Sequence, residues 1–381
     1  MNRSGQYIMQ PTGYKAFIPT PLPPIPPIHF DEQVQSLLER ANLAMGRLDA
    51  MGLFLPHIDN IIAMYVRKEA LLSSQIEGTQ ATLEDIFAYE EKAHLENVQD
   101  VKDVVNYIEA LNHGLNRLKE FPMSIRLIKE IHQILLQDGR GKEKSPGDFR
   151  RSQNWIGPAG CTLKEATFVP PPPGEAYNAV GELELYFHKE SNLPVLVNCA
   201  LIHYQFETIH PFLDGNGRLG RLLTTFYLCW KNVMQKPLLY LSYYLKQHRE
   251  EYYDRLNLVR KLGDYEQWIA FFLKAVIWSS ESALTTIGKI LELKERDKKR
   301  LMAEKIASPF AHELLDYLVQ KPHVSVKDVA EHLKVSKQTA NSLISQFERA
   351  SIVKKVAAKK RNRIYCYQEY IDLLAEGTMP L

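Results

Sequence analysis

Apolar residues recur every three or four positions along most of the chain, beginning at residue 29 and continuing to about residue 120. This spacing places the side chains on one face of a helix. The first apolar stripe consists of Val34, Leu37, Leu38, Ala41, Leu43 and Met45. A second stripe covers 58–75. The pattern predicts a helical N-terminal region over 29–120.

The same periodicity returns after Pro122 and predicts helices over 125–136, 177–190, 194–208 and from the following glycine-rich segment to about residue 230. Two or three more are predicted between 241 and 292. Residues 293–300 are almost all charged, which indicates a solvated helix face or a connector. We therefore predict a helical core over 121–300 and place a domain boundary near Ser308.

Residues 138–174 are rich in glycine and proline and interrupt the helices. Within them, 155–157 and 166–169 have the character of short strands, and four consecutive prolines follow the second at 170–173. Two short extended pieces around a turn-rich segment are typical of a hairpin. We predict a small exposed hairpin here.

Prolines cluster between Pro19 and Pro27. Because proline does not fit a helix interior, the first 28 residues are predicted to form an extended arm on the surface. A ligand for a proline-recognition domain is the alternative interpretation of this segment.

After Ser308 the pattern changes to three short helices, over 310–319, 326–333 and 337–349, and then to two strand-like pieces, 352–356 and 363–367. Three helices and a β-hairpin wing make a winged helix-turn-helix. The predicted fold class is therefore mainly α: a helical core with a small β-hairpin, plus a C-terminal winged helix-turn-helix domain over 308–381.

The last of these helices begins with side chains suited to base edges or phosphates, Lys337, Gln338, Thr339 and Asn341. The wing is basic and carries Lys354, Lys355, Lys359, Lys360, Arg361 and Arg363. These residues favour DNA as a partner. A protein docking or dimerisation role fits the same domain equally well.

The chain has 381 residues, of which 45% are hydrophobic and 24% charged, with a net charge of +2. Any binding to nucleic acid or membrane must then come from a local patch. The cysteines lack the spacing of a zinc cluster or a disulfide framework; they are Cys161, Cys199, Cys229 and Cys366. With no signal-peptide core and no long apolar run, the chain is predicted to be cytoplasmic, without membrane contact.

Residues 210–221 read His-Pro-Phe-Leu-Asp-Gly-Asn-Gly-Arg-Leu-Gly-Arg. Glycines on both sides of Asn216 allow backbone conformations in which successive N–H groups turn toward an anion. The apolar helical run that follows puts this loop at a helix N-terminus, where free N–H groups and the helix dipole favour phosphate. A base, a carboxylate and two arginines at such a loop predict phosphate chemistry.

This segment matches every specified position of HxFx(D/E)GNGRxxR, and on this motif the chain is identified as a member of the Fic-domain family. The resemblance covers most of the chain: the N-terminal helices, the core with its hairpin flap, and the winged helix. It implies a protein adenylyltransferase, which transfers AMP from ATP to a protein hydroxyl and releases pyrophosphate. It also suggests a homodimer.

The resemblance assigns roles within the motif. His210, whose ordinary pKa is about 6.5, takes the proton from a Ser, Thr or Tyr hydroxyl of the target protein. Asp214 holds Mg²⁺ between the α- and β-phosphates. The implied nucleotide-binding residues are Gly215, Asn216, Gly217, Arg218, Leu219, Gly220 and Arg221, with Asn216 and the glycine N–H groups around the phosphates and both arginines donating to phosphate oxygens.

Two further features come from the resemblance. Tyr253, or alternatively Tyr252, corresponds to the tyrosine that lines the adenine pocket. The flap is expected to pair, as a strand edge, with an extended segment of the target; it consists of Ala166, Thr167, Phe168 and Val169. The alternative for the two tyrosines is that they are ordinary core aromatics. The alternative for the flap is that it is an ordinary surface hairpin.

Residues 73–78, Ser-Ser-Gln-Ile-Glu-Gly, fit the inhibitory motif (S/T)xxxE(G/N) of the same family, with Gly78 at its last position. Ser73 and Glu77 are four residues apart and so share a helix face. By this resemblance Glu77 pairs with Arg221, is oriented by Ser73, and occupies the place where the γ-phosphate should contact the arginine. The sequence thus predicts an enzyme inhibited by its own N-terminal helix.

Other interpretations remain open at this point. One is a transcriptional regulator whose Fic domain senses nucleotide. Another is a phosphotransferase, although such relatives often carry lysine in place of Gly217. A third is an enzyme in which Glu77 positions water to remove AMP from modified targets.

Overall fold

The structure is a computed structural model that describes residues 2–55, 57–91, 97–158, 160–306, 308–356 and 363–380. It begins with an antiparallel hairpin of β1 (Gly5–Met9) and β2 (Lys15–Pro19), in which Tyr7 lies opposite Phe17. The extended surface arm predicted for 1–28 is therefore wrong in its first part. Ala16 and Phe17 are buried, and the proline cluster begins only where β2 ends.

Four helices follow: α1 (Glu32–Phe54), α2 (Ile58–Ile76), α3 (Leu83–Glu90) and α4 (Val98–Arg117). The stripe predicted on α1 is wrong at Leu43, whose side chain is 57% exposed, while Ala44 is buried. Ala44 follows Ala41 by three residues and so shares its face, whereas Leu43 does not. Every residue of α2 from Lys68 to Ile76 is buried, which places this helix inside the molecule.

The centre of the core consists of α5 (Ile125–Leu135), α6 (Pro173–His188), α7 (Val195–Ile209) and α8 (Asn216–Trp230). α7 is buried from Leu196 to Ile209 and packs against both α6 and α8. Pro173 lies in the first turn of α6, where the missing N–H removes no helical hydrogen bond. The loop between α7 and α8 contains the first part of the 210–221 motif.

The β element between α5 and α6 is smaller than predicted. One antiparallel bridge joins Ile156 to Phe168, and a single 3₁₀ turn, Leu163–Glu165, lies between them. The predicted exposure is wrong for Phe168 and Val169, which are buried. The reason is the N-terminal hairpin, because the Phe17 N–H donates to the Val169 carbonyl oxygen at 2.9 Å.

The core is completed by α9 (Ser242–Gln247), α10 (Arg249–Leu262) and the long α11 (Tyr265–Ala303), which packs along α1. α11 continues through the charged segment 293–300. The prediction that this segment is solvated is wrong at Asp297. This residue is fully buried and accepts a hydrogen bond from the Tyr367 hydroxyl at 2.7 Å.

The C-terminal domain contains α12 (Ala311–Gln320), β3 (His323–Ser325), α13 (Val326–His332), α14 (Lys337–Arg349), β4 (Lys354–Lys355), β5 (Ile364–Cys366) and α15 (Gln368–Leu374). Its strands form an antiparallel sheet in the order β3-β5-β4. The mainly α fold with a C-terminal winged helix is confirmed. The sequence pattern does not predict the short elements β3 and α15, and Lys359, Lys360 and Arg361 lie outside the described residues.

The C-terminal domain lies against the N-terminal helices. α2 packs against α12 and α15 as well as against α4 and α9. The helix that ends with the 73–78 motif thus contacts both the core and the winged helix. Within the described ranges, none of the helices combines the length and apolar character that a membrane span requires.

Candidate active site

Asn216 closes the loop between α7 and α8. Its Oδ1 accepts from the Phe212 N–H and its Nδ2 donates to the Phe212 carbonyl oxygen, both at 2.9 Å. Gly215 precedes α8 with a φ of 75°. Both ends of the Asn216 amide are engaged by Phe212, so this side chain shapes the loop.

His210 ends α7 beside a cleft of about 540 Å³. Desolvation, together with the charges of Arg150 and Arg260, lowers the pKa of His210 to about 4. The imidazole is therefore neutral near pH 7, which is the state that accepts a proton. An anionic ligand in the cleft would raise this pKa, because negative charge stabilises the imidazolium.

Arg218 lies in the first turn of α8, and its guanidinium is buried. Its Nη1 is 3.6 Å from Asp103 Oδ1, its Nη2 is 3.8 Å from Asp214 Oδ1, and its Nε has no hydrogen-bond partner among the described residues. A buried cation with an unused donor at a helix N-terminus is suited to an anion. The first turn of α8 thus has the character of a phosphate site.

Asp214 carries a carboxylate two residues before Asn216, the first residue of α8. Its side chain is 43% exposed, and its Oδ1 accepts from the adjacent Gly215 N–H. The described residues contain no group of three or more side chains that could hold a metal ion by themselves. A single exposed carboxylate does fit Mg²⁺, which keeps several waters and takes its remaining ligands from substrate phosphates.

Two residues predicted to bind nucleotide lie elsewhere. Leu219 is fully buried, and a side chain at Gly220 would meet Glu207 and Phe206 of α7. Neither residue lines the cleft, and Gly220 lies at the contact between α7 and α8. The helical periodicity explains this, since positions three and four residues after Asn216 return to its buried face.

Arg221 lies one turn further along α8 and contacts α2. Its Nε donates to Ser73 Oγ at 2.8 Å, and its Nη2 donates to the Ser73 carbonyl oxygen at 2.8 Å and to Glu77 Oε1 at 2.7 Å. The structure thus brings Ser73, Glu77 and Arg221 together. Ser73 hydrogen-bonds to the arginine, and none of the hydrogen bonds among the described residues joins it to Glu77, in contrast to the prediction.

The ion pair perturbs both of its members. Partial burial would by itself raise the pKa of Glu77, but Arg221, together with Arg218 and His210, outweighs this effect and lowers that pKa. Burial likewise opposes the charge of Arg221, and Glu77 raises the pKa of the guanidinium. Both groups therefore remain charged at neutral pH.

Gly217 leaves the space into which Glu77 fits. A Cβ at this position would overlap Glu77 Oε1 and would lie 3.2 Å from Arg221 Nη1. Beyond Glu77, the Gly78 N–H donates to the Gln75 carbonyl oxygen at 3.0 Å as α2 ends. The Glu77 carboxylate consequently lies against the first turn of α8.

Tyr252 and Tyr253 both line the cleft, but their surroundings differ. Tyr252 is buried, and its hydroxyl lies 2.8 Å from His203 Nε2. Tyr253 is only partly buried, and the Arg249 guanidinium lies 5.4 Å from its ring centroid. Of the two tyrosines, Tyr253 thus has the more exposed side chain in the cleft.

The flap already has two intramolecular partners. The Phe168 N–H and carbonyl oxygen pair with Ile156 at 3.0 and 2.8 Å, and the Val169 carbonyl oxygen accepts from Phe17. Arg260 stacks on the Phe168 ring, 3.7 Å from its centroid. Of the predicted docking edge, Phe168 and Val169 are thus already paired, whereas Ala166 and Thr167 make no backbone hydrogen bonds to the described residues. Of these two, Thr167 lines the cleft.

Comparisons with known proteins agree with this geometry. The profile of the Fic/DOC family N-terminal region matches residues 35–116, and the Fic/DOC family profile matches residues 122–228, which include α7, the loop and most of α8. The chain belongs to the Fic/DOC family. In addition, the profile of a DeoR-like helix-turn-helix domain matches residues 311–356.

Curated relatives carry the name protein adenylyltransferase Fic. The Drosophila melanogaster protein is 27% identical over 290 residues, which are 70% of this chain and 54% of that protein. The Aedes aegypti protein is 29% identical over 239 residues, which are 62% of this chain and 42% of that protein. The chain therefore spans about half the length of these Fic relatives.

Solved structures share the Fic fold. A Fic family protein from Desulfovibrio desulfuricans G20 has a TM-score of 0.58 at 19% identity and covers 90% of this chain and 97% of its own. Fic-1 from C. elegans has a TM-score of 0.52 at 19% identity and covers 67% and 74%, respectively. The similarity to the Desulfovibrio desulfuricans structure thus covers more of this chain than the two Fic profile matches, 35–116 and 122–228.

The Fic cleft also contains residues that the sequence did not indicate. Glu207 lies in its wall, and burial raises the pKa of this carboxyl to about 7. It is three residues before His210, so the helical spacing of α7 could have revealed it. Arg249 also lines the cleft, and it lies four residues before the predicted Tyr253, so helical spacing could have revealed it too. Arg260 lines the cleft and Arg150 contacts its rim; no spacing in the sequence connects either of them with His210.

Proposed function

We propose that this chain is a protein adenylyltransferase that transfers AMP from ATP to Ser, Thr or Tyr hydroxyls of target proteins, including itself, and that Glu77 inhibits it by occupying Arg221. The observation that carries the proposal is the position of the Arg221–Glu77 pair. It borders the same cleft as His210 and the first turn of α8.

The proposed reaction follows from the charges around this cleft. The neutral His210 accepts the proton of the target hydroxyl, and the hydroxyl oxygen forms a bond to the α-phosphorus. The bond between the α-phosphorus and the bridging oxygen breaks, and pyrophosphate leaves with its electron pair. Arg218 and Arg221 stabilise the added negative charge on the phosphate oxygens. Asp214 would hold Mg²⁺, which neutralises charge on the pyrophosphate.

Other residues would bind the nucleotide and the target. Tyr253 offers a ring face for the adenine, and the N–H groups at the start of α8, including that of Gly217, face the phosphates. Thr167 of the flap would pair with the backbone of the target segment that carries the hydroxyl. A glycine at position 217 is consistent with AMP transfer, since phosphorylating relatives often carry lysine there.

The inhibition proposed here is competition between two anions. Arg221 is paired with Glu77, and the γ-phosphate of ATP requires the same donor. With Glu77 in place, ATP would bind in an orientation that does not put its α-phosphate in line with the target hydroxyl. Removal of the carboxylate would therefore increase the transfer rate without adding any catalytic group.

Intact-mass measurement of the Glu77→Gly chain after incubation with ATP and Mg²⁺ tests the proposal. We expect AMP adducts that are absent from Glu77→Gly/His210→Ala, since loss of a general base costs at least roughly a hundredfold in rate. Parallel reactions with α- and γ-labelled ATP distinguish AMP transfer from phosphorylation. Label from γ-labelled ATP alone would replace the proposal with a phosphotransferase. Equal α-labelling of wild type and Glu77→Gly would remove the inhibitory role.

The same protein permits a test of AMP removal. Adenylylated Glu77→Gly chain, purified from ATP, is incubated with wild-type protein and Mg²⁺. Release of AMP that depends on Glu77 would favour the interpretation in which this carboxylate positions water. A stable adduct would leave transfer as the activity of the site.

A second activity, DNA binding, is favoured by α14. Four polar residues at its start are exposed, Lys337, Gln338, Thr339 and Asn341, while Ala340 faces the core. Their exposure leaves them free for a major groove. Binding to random-sequence duplex that weakens steeply with salt, and that is lost in Lys337→Ala/Asn341→Ala, would support this. Unchanged binding in the variant would assign the domain another partner.

A further inference from the structure

Arg150 connects the flap with the residue proposed to act as base. It is buried in the segment between α5 and α6, and its Nε donates to the His210 carbonyl oxygen at 2.9 Å. Its Nη1 donates to the Ser152 carbonyl oxygen at 3.3 Å, and its Nη2 donates to the Pro171 carbonyl oxygen. Ser152 and Pro171 lie before and after the flap along the chain. One guanidinium therefore contacts the backbone of His210 and the segments on both sides of the 155–169 hairpin.

The backbone of His210 requires such contacts. Its φ of 49° is in the left-handed region, which is uncommon for a residue with a side chain. Asn154 Nδ2 also donates to the His210 carbonyl oxygen, at 3.3 Å, and the Arg150 N–H donates to the Pro211 carbonyl oxygen at 3.0 Å. These donors satisfy carbonyl groups that a regular helix end would leave unpaired.

We propose that Arg150 is a positioning residue for AMP transfer: it fixes the left-handed conformation of His210 and aligns the flap with it. This inference rests on the proposed function. The charged groups that act on the imidazole are Arg150, Arg260 of α10 and Glu77 at the end of α2. Burial has the largest effect on the pKa of His210, and Arg150 is one of two cations that lower this pKa further.

The test compares Arg150→Gln, Arg150→Lys and the control Arg151→Gln, in which the neighbouring arginine is exposed. Each is made in the Glu77→Gly chain, and AMP transfer is measured against pH. We expect Arg150→Gln to lose at least roughly tenfold in transfer, with the acidic limb of its profile displaced upward by about one pH unit. Arg150→Lys keeps the charge and should keep the wild-type profile with a reduced rate. Arg151→Gln should change neither.

Titration of His210 by NMR, assigned with His210→Asn, separates this inference from the proposed function. A higher titration point in Arg150→Gln than in Arg150→Lys supports the role of Arg150 even in a chain that transfers no AMP. Wild-type transfer and titration in both Arg150 variants would overturn it. Where Arg150→Gln does not fold, a wild-type rate in Arg150→Lys would do the same.

A separate observation concerns residues 375–380, which follow α15 and which we term the C-terminal latch. They return to α2 and contact Gln75, two residues before Glu77. Gln75 Nε2 donates to the Thr378 carbonyl oxygen at 2.8 Å and to the Ala81 carbonyl oxygen at 2.9 Å. The latch and the segment after Glu77 are therefore joined by one buried amide.

Lys246 completes this contact from the core. Its Nζ donates to Gln75 Oε1 at 2.7 Å, to the Gly377 carbonyl oxygen at 3.1 Å and to the Met379 carbonyl oxygen. Detachment of the latch would leave the buried Gln75 and Lys246 side chains without these acceptors, at a cost in free energy. The end of α2 is thus most stable when the latch is in place.

We infer that the C-terminal latch maintains the inhibitory position of Glu77, so that its detachment activates the enzyme. This second inference also rests on the proposed function. The latch extends from the winged helix domain and contacts α2, and α2 ends at Glu77 in the cleft. A change in the winged helix domain could therefore affect the active site through α2. A partner that draws α15 away from α2 would act through Gln75.

Gly377→Val tests the latch without removing a polar group, because a Cβ at Gly377 would overlap the Tyr243 ring. Met379→Ala is the control, since the Met379 side chain is 75% exposed. We expect Gly377→Val to raise AMP transfer several-fold while Glu77 is present and not at all in Glu77→Gly. Met379→Ala should behave as wild type. Equal rates in Gly377→Val and wild type, or equal gains in both backgrounds, would overturn the inference.

Hydrogen exchange of residues 70–80 provides a measurement independent of activity. Faster exchange in Gly377→Val than in Met379→Ala supports a latch on α2. Identical exchange in the two variants rejects it, whatever the outcome for AMP transfer.

Discussion

The carboxylate of Glu77 lies 2.7 Å from Nη2 of Arg221, although the two residues are 144 positions apart in the chain. The same nitrogen also donates to the Ser73 carbonyl oxygen, so α2 contributes both a charged and a neutral acceptor to this arginine. A phosphate that displaces Glu77 would leave the Ser73 contacts intact. Arg221 can therefore change its anionic partner without losing its position.

Glu77→Gln should weaken the inhibition without abolishing it. A hydrogen bond to a charged group contributes about 1.5–3 kcal/mol, and the neutral amide would lose most of this, so we expect AMP transfer to rise roughly tenfold or more. Initial rates with α-labelled ATP measure the change. Glu84→Gln, which removes an exposed carboxylate from α3, is the control. An unchanged rate in Glu77→Gln would show that the ion pair does not limit transfer.

Gly217→Ala should expel Glu77 by steric overlap. Because the new Cβ would occupy the position of Glu77 Oε1, the carboxylate must leave Arg221. We expect higher AMP transfer in the chain that retains Glu77 and no gain in Glu77→Gly. Gly288→Ala is the control, because a Cβ at that helical position meets no other atom within 4 Å. A loss of transfer in both backgrounds would instead assign Gly217 to nucleotide binding alone.

The sequence was sufficient for the motifs because each is local. Residues 73–78 and 210–221 carry their chemistry within one helical turn or one loop, and the structure brings both to one cleft. The partner of Ser73 was not predictable in this way. Its hydroxyl accepts from Arg221 rather than supporting Glu77, and only the packing of α2 against α8 decides between the two.

Residues from distant segments account for most of what the sequence did not reveal. Arg150 and Arg260 reach the surroundings of His210 from a loop and from α10, and no spacing in the sequence connects them with it. The N-terminal hairpin was missed because its strands are only five residues long and lie beside a proline cluster. Its contact with Val169 is what buries the flap.

Glu207→Gln should change the dependence of stability on pH. Burial raises the pKa of Glu207 to about 7 from an ordinary 4.5. The folded chain therefore binds more protons than the unfolded chain between these values, and stability falls as pH rises from 4.5 to 7. One pKa unit corresponds to about 1.4 kcal/mol, so the amide should be more stable than wild type at pH 8 by up to roughly 3 kcal/mol.

Denaturant unfolding at pH 5 and pH 8 measures this difference. The exposed Glu190→Gln is the control and should leave the difference unchanged. The same pH dependence in Glu207→Gln and wild type would contradict an ionisation that burial opposes. Burial also raises the pKa of Glu69 to about 7, so part of the slope should remain in Glu207→Gln.

Asn216→Asp should disrupt the loop while the fold persists. The aspartate retains an acceptor for the Phe212 N–H but loses the donor to the Phe212 carbonyl oxygen, and it places a negative charge next to that oxygen. It also adds an anion at the start of α8, where phosphate should bind. We expect AMP transfer in the Glu77→Gly chain to fall by at least roughly a hundredfold, because misplacement by about 1 Å has this effect on catalysis.

Fluorescent ATP binding and circular dichroism, measured beside the transfer rate, separate the causes in Asn216→Asp. A native spectrum with weakened nucleotide binding is the expected result. Asn198→Asp is a matched control, because Asn198 lies in α7 but bonds to Tyr186 and Leu193, far along the helix from the loop. Transfer at the Glu77→Gly rate in Asn216→Asp would mean that the two Phe212 bonds do not hold the loop in its active shape.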